Sequence, residues 1–163
     1  MDDKERRFQQ IVDTSRRRLQ GLARSFATGP DRDDLYQDML LQLWRSFDSF
    51  GGRSSPETWV YRVALNTAMS YRRKTSLRAR YAAPTVEIDP DRMGGRSSGG
   101  RGELEILQEF MSSLNDLDRA IFALYLEDLT YRAMAEVTGL SESHVGVRIH
   151  QIKRRFTATY LEA

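Results

Sequence analysis

The chain contains no cysteine, and this absence removes several kinds of chemistry at once. Disulfides, thiolate metal sites and thiol nucleophiles are excluded. Only two histidines occur, His144 and His150, and both fall on one basic helical segment whose pattern does not favour metal ligation. We therefore predict no catalytic residues, no metal site and no cofactor.

Long apolar runs are also missing. The longest, Ala120 to Leu126, is far shorter than the roughly 20 residues that a membrane-spanning helix needs. The N-terminus reads MDDKERRF, which is charged and has no apolar signal core. These features predict a soluble, cytoplasmic protein with no direct membrane insertion.

No alternating strand pattern occurs, so the predicted fold is all-α. In the first half, apolar residues recur at three- and four-residue steps in three stretches, 8–26, 31–47 and 56–74. Asp31 is expected to cap the second helix. Ser55 is expected to cap the third, with Pro56 at its first position, and that helix should finish at Lys74. The second half shows four further helical patterns between residues 103 and 163.

Residues 77–102 interrupt this periodicity. They are rich in glycine and serine, include Pro84 and Pro90, and contain few apolar side chains. Such a composition buries too little surface to offset its ordering entropy, which predicts a flexible linker. The alternative is a long surface loop within one domain, which is uncommon at this length. We predict two small helical domains, 1–76 and 103–163.

The pattern near the C-terminus is typical of a helix-turn-helix. Ala135 is small where two helices must cross closely, and Gly139 can adopt the left-handed conformation that ends the first helix. Ser141 can cap the second helix, and Val145 can anchor it on the first. The alternative is an ordinary αα-hairpin with a solvated basic face.

Charge is unevenly distributed around this motif. Residues 103–163 carry ten acidic and six basic side chains, yet four of the six cations lie between Arg148 and Arg155. There is no acid from Ser143 through Leu161. Because local charge sets phosphate contacts, this stripe favours DNA binding despite the acidic segment around it.

Two groups of polar residues lie in the first half. Asp33 and Asp34, in the first turn of the second helix, can complement the helix dipole. Asp34 and Asp38, one turn apart, either belong to a small metal-dependent hydrolase or form a protein-docking face near Leu40, Leu41 and Trp44. On the third helix, aromatic residues alternate with cations and an amide. Unpaired bases need such residues, but Trp59 and Tyr71 could equally pack in the core. The residues alone leave these alternatives open.

Several segments together resemble bacterial sigma factors. Asp34-Leu35-Tyr36-Gln37-Asp38, running on through LLQLWRSFDSF, and SPETWVYRVALNTAMSYRRK at 55–74 resemble their second region. Leu114 to Arg119 with the helix-turn-helix resembles their fourth region. The short linker resembles that of the extracytoplasmic-function (ECF) group. Together the matches cover about residues 8–76 and 103–157.

The resemblance implies the partners and the site residues. The expected partners are core RNA polymerase, through the clamp helices of its largest subunit and its flap, then promoter DNA, with an anti-sigma factor as a further candidate. The residues implied at the polymerase are Asp34, Gln37, Asp38 and Trp44. Those implied at the −10 element are Phe50, Arg53, Ser54, Arg62, Asn66, Arg72 and Arg73. Those implied at the −35 element are Ser141, Ser143, His144, Arg148, Lys153 and Arg154.

One departure from the family pattern affects the −35 site. Many relatives have a lysine in the recognition helix where this chain has Gly146. The substitution removes a phosphate contact and weakens the helix by about 1 kcal/mol relative to alanine. The expected function is that of a non-enzymatic ECF-type sigma factor that directs promoter recognition, −10 melting and transcription initiation. The alternatives are a helix-turn-helix regulator not tied to core polymerase, and a small metal-dependent hydrolase using Asp34 and Asp38.

The predicted linker has a direct test. Because residues 78–102 lack apolar anchors, limited proteolysis of the isolated chain should cut there first and release two folded helical fragments. Mass spectrometry of the early fragments locates the cut. Protection of the stretch from Gly94 to Gly102 would contradict the two-domain prediction.

Overall fold

The computed structural model describes residues 1–81 and 102–162, and the order of its helices follows the predicted pattern. The first half contains three α-helices and a short 3-10 turn, and the second half contains four α-helices. Their bounds are α1 Asp3–Phe26, α2 Asp31–Ser46, the 3-10 turn Phe47–Ser49, α3 Pro56–Tyr81, α4 Glu103–Ser113, α5 Asp116–Leu126, α6 Tyr131–Thr138 and α7 Glu142–Tyr160. No strand occurs in these two stretches, as the all-α prediction requires.

Local capping signals explain most of the helix starts. The Ser55 hydroxyl accepts a hydrogen bond from the Thr58 amide at 3.2 Å, so the predicted cap of α3 is confirmed. Asn115 caps α5 and Thr130 caps α6 in the same way. Each of these side-chain oxygens satisfies a backbone donor that has no partner inside the helix.

Two predictions about helix ends were wrong. Asp31 does not cap α2, because Pro30 occupies the cap position and Asp31 is the first helical residue. α3 does not finish at Lys74 but continues to Tyr81. Residues 75–81 contain leucine, alanine and arginine, which favour helix, and no glycine or proline. The rest of the predicted linker, 82–101, lies outside the described residues, and the domain bounds remain predictions.

The three helices of the first half pack on one another around Leu19, Leu22, Leu35, Met39 and Ala64, all fully buried. The second half has its own centre, formed by Phe110, Leu114, Ile121, Met134 and Ile149. The buried residues of both halves nevertheless belong to one continuous apolar cluster. α6 contacts α3, and both α4 and α5 contact α1. The C-terminal half therefore lies directly against the N-terminal half.

Within the described residues, no helix combines the length and the apolar character that crossing a membrane requires.

Two glycines of the helix-turn-helix provide a stability test with opposite expected signs. Gly139 has a φ of +79°, so Gly139→Ala should lower the free energy of unfolding by about 1–2 kcal/mol. Gly146 lies inside α7, where an added Cβ would make ordinary contact with the Tyr131 ring at 3.5 Å. Gly146→Ala should raise the free energy of unfolding by up to about 1 kcal/mol. Urea denaturation measures both, and changes of the same sign would contradict this account.

Candidate nucleic-acid interface and docking face

Three of the four residues expected at core polymerase lie, with Leu41, on an exposed strip of α2, which we call the α2 face. Asp34, Gln37 and Asp38 are exposed there, and the side chain of Leu41 is 44% exposed in the next turn. Asp38 and Leu41 also line a groove between α2 and α3 whose opposite wall includes Asn66. The structure thus brings a residue expected at the polymerase and a residue expected at the −10 element into one groove.

Trp44 occupies a different environment. Its ring packs edge-on against Phe8 with centroids 5.0 Å apart, and the Lys4 ammonium lies 4.3 Å from the ring centroid. The side chain is half-buried and joins α2 to α1. Its contacts within the chain are those of a packing residue.

The segment between α2 and α3 is a short loop fixed at both ends. Gly51 and Gly52 have φ values of +61° and +70°, which suit glycine and few other residues. Before them, the Phe50 ring lies 4.8 Å from the Trp59 ring. Arg53 is exposed and Ser54 is partly exposed. The loop therefore carries an exposed cation, and an aromatic pair fixes the start of the loop to α3.

The aromatic residues of α3 could either stack on unpaired bases or pack in the core, and the structure distinguishes these alternatives. Trp59 and Tyr61 are buried, and Tyr71 is half-buried. Burial raises the pKa of the Tyr61 hydroxyl, which accepts a hydrogen bond from Arg18 at 3.2 Å. These aromatics pack in the core, while Asn66 and Arg73 remain exposed on the same helix.

Two other α3 cations are held by the C-terminal half. A guanidinium nitrogen of Arg62 donates to the backbone carbonyl of Glu136 on α6. Arg72 donates to the carbonyl of Leu114 at 2.8 Å and lies 3.2 Å from the Asp116 carboxylate. Both arginines were expected at the −10 strand, and the contacts that hold them were not foreseen. Partners separated by 42 and 74 residues leave no local signal in the sequence.

The helix-turn-helix has the predicted local geometry. The Ser141 hydroxyl accepts a hydrogen bond from the His144 amide at 3.1 Å, and Gly139 ends α6 in the left-handed conformation. Val145 is completely buried and anchors α7. The Ser141 oxygen that accepts this bond is therefore committed to capping.

α7 presents an outward ridge of four residues, Ser143, Val147, His150 and Arg154, all exposed. They recur at four-, three- and four-residue steps and lie away from the buried face of the helix. Val147 is 55% exposed although it is apolar. Val147 and His150 were missed as candidate site residues. Val147 and His150 follow Ser143 by four and seven residues, which places them on the same helix face, away from the buried Val145 and Ile149. This spacing would have identified both residues from the sequence.

Other α7 cations have partners inside the domain. Arg148 lies 2.6 Å from the Asp118 carboxylate of α5, and both side chains are mostly buried. The Lys153 ammonium lies 4.5 Å from the centre of the Tyr125 ring. A hydrogen bond to Tyr125 raises the pKa of Lys153. Arg154 and His144 are more open to an external ligand.

In the described part of the chain, no three His, Cys, Asp or Glu side chains come together as a metal-ion site.

Two family models match the chain, one in each half. Sigma-70 region 2 matches residues 11–78, and Sigma-70, region 4 matches residues 104–156. Between them they include the α2 face, the α3 cations and the whole helix-turn-helix. The order of the two matches is the order that the sequence pattern indicated.

Curated relatives agree with these models. An ECF RNA polymerase sigma-E factor from Haemophilus influenzae is 26% identical over 157 residues, covering 90% of this chain and 83% of that protein. The ECF RNA polymerase sigma-E factor of Escherichia coli (strain K12) is 26% identical over 161 residues, covering 90% of this chain and 82% of that protein. An ECF RNA polymerase sigma factor SigG from Mycobacterium tuberculosis (strain H37Rv) is 36% identical over 74 residues, which is 45% of this chain but 18% of SigG.

Two solved structures share the fold. CnrH in complex with the cytosolic domain of CnrY matches with a TM-score of 0.69 and 24% identity, covering 95% of this chain and 88% of that one. The sigma factor RpoE of Bartonella quintana, crystallised with the anti-sigma factor NepR, matches with a TM-score of 0.65 and 18% identity, covering 97% and 96%.

Family models match both halves of the chain, the sigma-E relatives align over most of their length, and two solved structures share the fold. The chain therefore belongs to the sigma-70 family, in its extracytoplasmic-function group, and is a sigma factor that directs transcription initiation by core RNA polymerase.

Proposed function

We propose that the chain docks on core polymerase through the α2 face, engages the −10 element with the loop and α3, and reads the −35 element with the outward ridge of α7. The observation that carries this proposal is the shared groove, in which Asp38 of the α2 face lies opposite Asn66 of α3. A polymerase docked on α2 is then adjacent to the surface that meets the DNA.

The α2 face has the composition of a small protein interface. Exposed acids surround an exposed leucine, so a partner surface with cationic and apolar side chains complements it. The clamp helices of the largest polymerase subunit are the proposed partner. Trp44 contributes by holding α2 against α1 rather than by contact.

At the −10 element, the groups available for a single strand are an amide and cations. Asn66 supplies donors and an acceptor for a base edge, and Arg53 and Arg73 supply charge for phosphates. Phe50 and Trp59 support the loop that carries Arg53. Arg62 and Arg72 lie on the same helix and add positive charge beside this surface.

At the −35 element, the ridge of α7 combines three kinds of contact. Val147 presents methyl groups of the kind that recognise a thymine methyl, and His150 and Ser143 can hydrogen-bond to base edges. Arg154 is placed for a phosphate. Because phosphate contacts position the helix and base contacts specify the sequence, we assign specificity to Val147 and His150.

The proposal also covers where the chain acts and which other proteins it binds. The chain acts without catalytic chemistry of its own, in the cytoplasm where the polymerase works, and the flap is the proposed second contact. The solved structures of CnrH and of Bartonella quintana RpoE each contain a protein partner, CnrY and NepR respectively. We propose that this chain likewise has an anti-sigma partner.

Charge reversal tests the docking face. Asp38→Lys should weaken core polymerase binding by about 1–3 kcal/mol, because it places a cation where the partner presents one. The matched control is Asp33→Lys, which makes the same charge change on the same helix about 140° away. Binding to purified core enzyme by fluorescence titration measures both. Equal losses in the two variants would remove the α2 face from the docking model.

A pair of arginines separates DNA contact from folding at the −35 site. Arg154→Ala should leave stability unchanged and reduce the salt dependence of promoter binding by about one unit of slope. Arg148→Ala should instead lower the free energy of unfolding by about 1–3 kcal/mol, because it leaves Asp118 without its partner.

These effects are measured by urea denaturation and by salt titration of the polymerase–promoter complex on a fragment selected with the wild-type chain. If Arg148→Ala leaves stability unchanged and reduces the salt slope, Arg148 is a phosphate contact and the Asp118 pair is dispensable.

A further inference from the structure

We propose that α3 continues past the −10 surface as a second DNA-contacting segment, in which Arg80 binds a phosphate of the double-stranded spacer between the −10 and −35 elements. The proposal rests on the proposed −10 role of Asn66 and extends that surface by about four helical turns. Arg80 lies beyond residue 78, where the match to Sigma-70 region 2 ends, so that match assigns it no role.

The last two turns of α3 do not pack in the core. Residues 75–81 are exposed on every side of the helix. Leu77 is 48% exposed and Tyr81 is 86% exposed, although both carry large apolar groups. These turns therefore add nothing to the core of the N-terminal half, and any function they have lies on their surface.

That surface is strongly basic. No acidic residue occurs from Thr58 through Val86, whereas residues 72–80 include five cations. An exposed helix is often supported by acid–base pairs three or four residues apart, and a segment without acids has none. Lys74 and Arg78 instead form a like-charged pair one turn apart, and the negative end of the helix dipole offsets only part of that repulsion. A polyanion beside the helix would offset the rest.

The face of α3 that carries Asn66 continues to the end of the helix. Residues three or four positions apart share one face of an α-helix. Counting from Asn66 in such steps reaches Ser70, Arg73, Leu77 and Arg80, a row that we call the α3 stripe. Arg73 donates a hydrogen bond to the Ser70 hydroxyl at 3.2 Å, and the other three members are exposed. One continuous row therefore joins the proposed −10 contact to Arg80.

A shallow depression of about 380 Å³ lies along the end of the α3 stripe. Its lining consists of Arg72, Arg73, Ser76, Leu77, Arg80 and Asp116. Asp116 is the one acid in this set, and its carboxylate pairs with Arg72 at 3.2 Å. Arg73 and Arg80 can therefore direct their guanidinium groups to an external anion. Because a guanidinium matches the oxygens of a phosphate, the depression suits a phosphate group.

The length of α3 indicates which phosphate this is. Arg80 follows Asn66 by 14 residues, which corresponds to about 21 Å along the helix axis. Phosphates of one DNA strand are about 3.4 Å apart along the duplex axis, so Arg80 reaches a phosphate roughly six base pairs from the base at Asn66. The chain continues from α3 into the half proposed to read the −35 element. The end of α3 therefore lies on the −35 side of Asn66, beside the spacer.

Two neighbouring arginines provide the test and its matched control. Arg80→Ala removes the proposed contact, whereas Arg78→Ala removes the same charge from a position about 160° around the helix. Both side chains are exposed, so neither substitution should change the free energy of unfolding. The full chain is bound to core polymerase in every measurement.

Fluorescein-labelled DNA fragments of two lengths serve as probes. Each carries the single-stranded −10 element of a promoter selected with the wild-type chain. The upstream duplex is either about 2 base pairs long, too short to reach Arg80, or about 9 base pairs long. Both fragments end before the −35 element, so the outward ridge of α7 has no target sequence on them.

We expect Arg80→Ala to bind the long fragment about two- to five-fold more weakly than the wild type, with a salt slope smaller by about one unit. On the short fragment the two chains should bind equally, and Arg78→Ala should match the wild type on both fragments. Equal losses in the two variants, an unchanged affinity of Arg80→Ala for the long fragment, or the same loss on both fragments would overturn the contact.

Neutral DNA linkages locate the phosphate. A methylphosphonate placed roughly six base pairs upstream of the base at Asn66 should weaken binding of the wild type and remove the difference between the wild type and Arg80→Ala. If that difference persists when each spacer phosphate is neutralised in turn, Arg80 does not bind a spacer phosphate.

Failure of the proposed −10 role gives a different result. Asn66→Ala should weaken binding to the short and long fragments by the same factor, because both contain the single-stranded element. If Asn66→Ala has no effect while Arg80→Ala still weakens only the long fragment, the −10 assignment of Asn66 fails and the spacer contact stands. The reverse result removes the spacer contact and leaves the −10 role intact.

Discussion

Arginine side chains that dock on unpaired carbonyl groups at helix C-termini connect the two halves of the molecule. The last carbonyls of an α-helix have no partner within the helix and carry the negative end of its dipole. Arg62 uses such a carbonyl at the end of α6, Arg72 at the end of α4 and Arg119 at the end of α1. These bonds act together with the continuous apolar cluster that joins α4, α5 and α6 to α1 and α3.

This arrangement gives α3 two roles. Its buried side, with Trp59, Tyr61 and Ala64, completes the core of the N-terminal half. Its polar side carries Asn66 and the arginines, which either remain in solvent or bind the C-terminal half. One helix therefore contributes both to the core of the fold and to the proposed −10 surface. The α2 face involves none of these arginines, because it lies on the exposed side of α2.

Local signals predicted most of the helices and the local geometry of the helix-turn-helix. Ser55 and Ser141 each cap a backbone amide three residues further on, and Gly139 ends α6 through its own left-handed conformation. Such local signals can be read from the sequence. The end of α3 was missed because residues 75–81 contain neither a breaker nor an apolar pattern. Helix propensity alone accounts for the helical conformation of residues 75–81, since every residue of that stretch is exposed.

Contacts across the chain could not be predicted in the same way. The pairing of Arg148 with Asp118 spans 30 residues, and that of Arg119 with Ser25 spans 94. Nothing in the composition of α7 distinguishes Arg148, which is paired with Asp118, from Arg154, which is exposed. The family resemblance assigns both arginines to DNA because it depends only on their positions along the helix. It contains no information on which arginine has a partner inside this fold.

The recognition of main-chain carbonyls has an evolutionary consequence. A bond to a carbonyl places little demand on the side chain at that position, so Ser25, unlike the buried Leu114, can change while the arginine keeps its partner. The outward ridge of α7 can likewise change to suit new promoters without altering the contact between the halves. Related chains can therefore differ in the promoter sequences they recognise while keeping the same contact between their two halves.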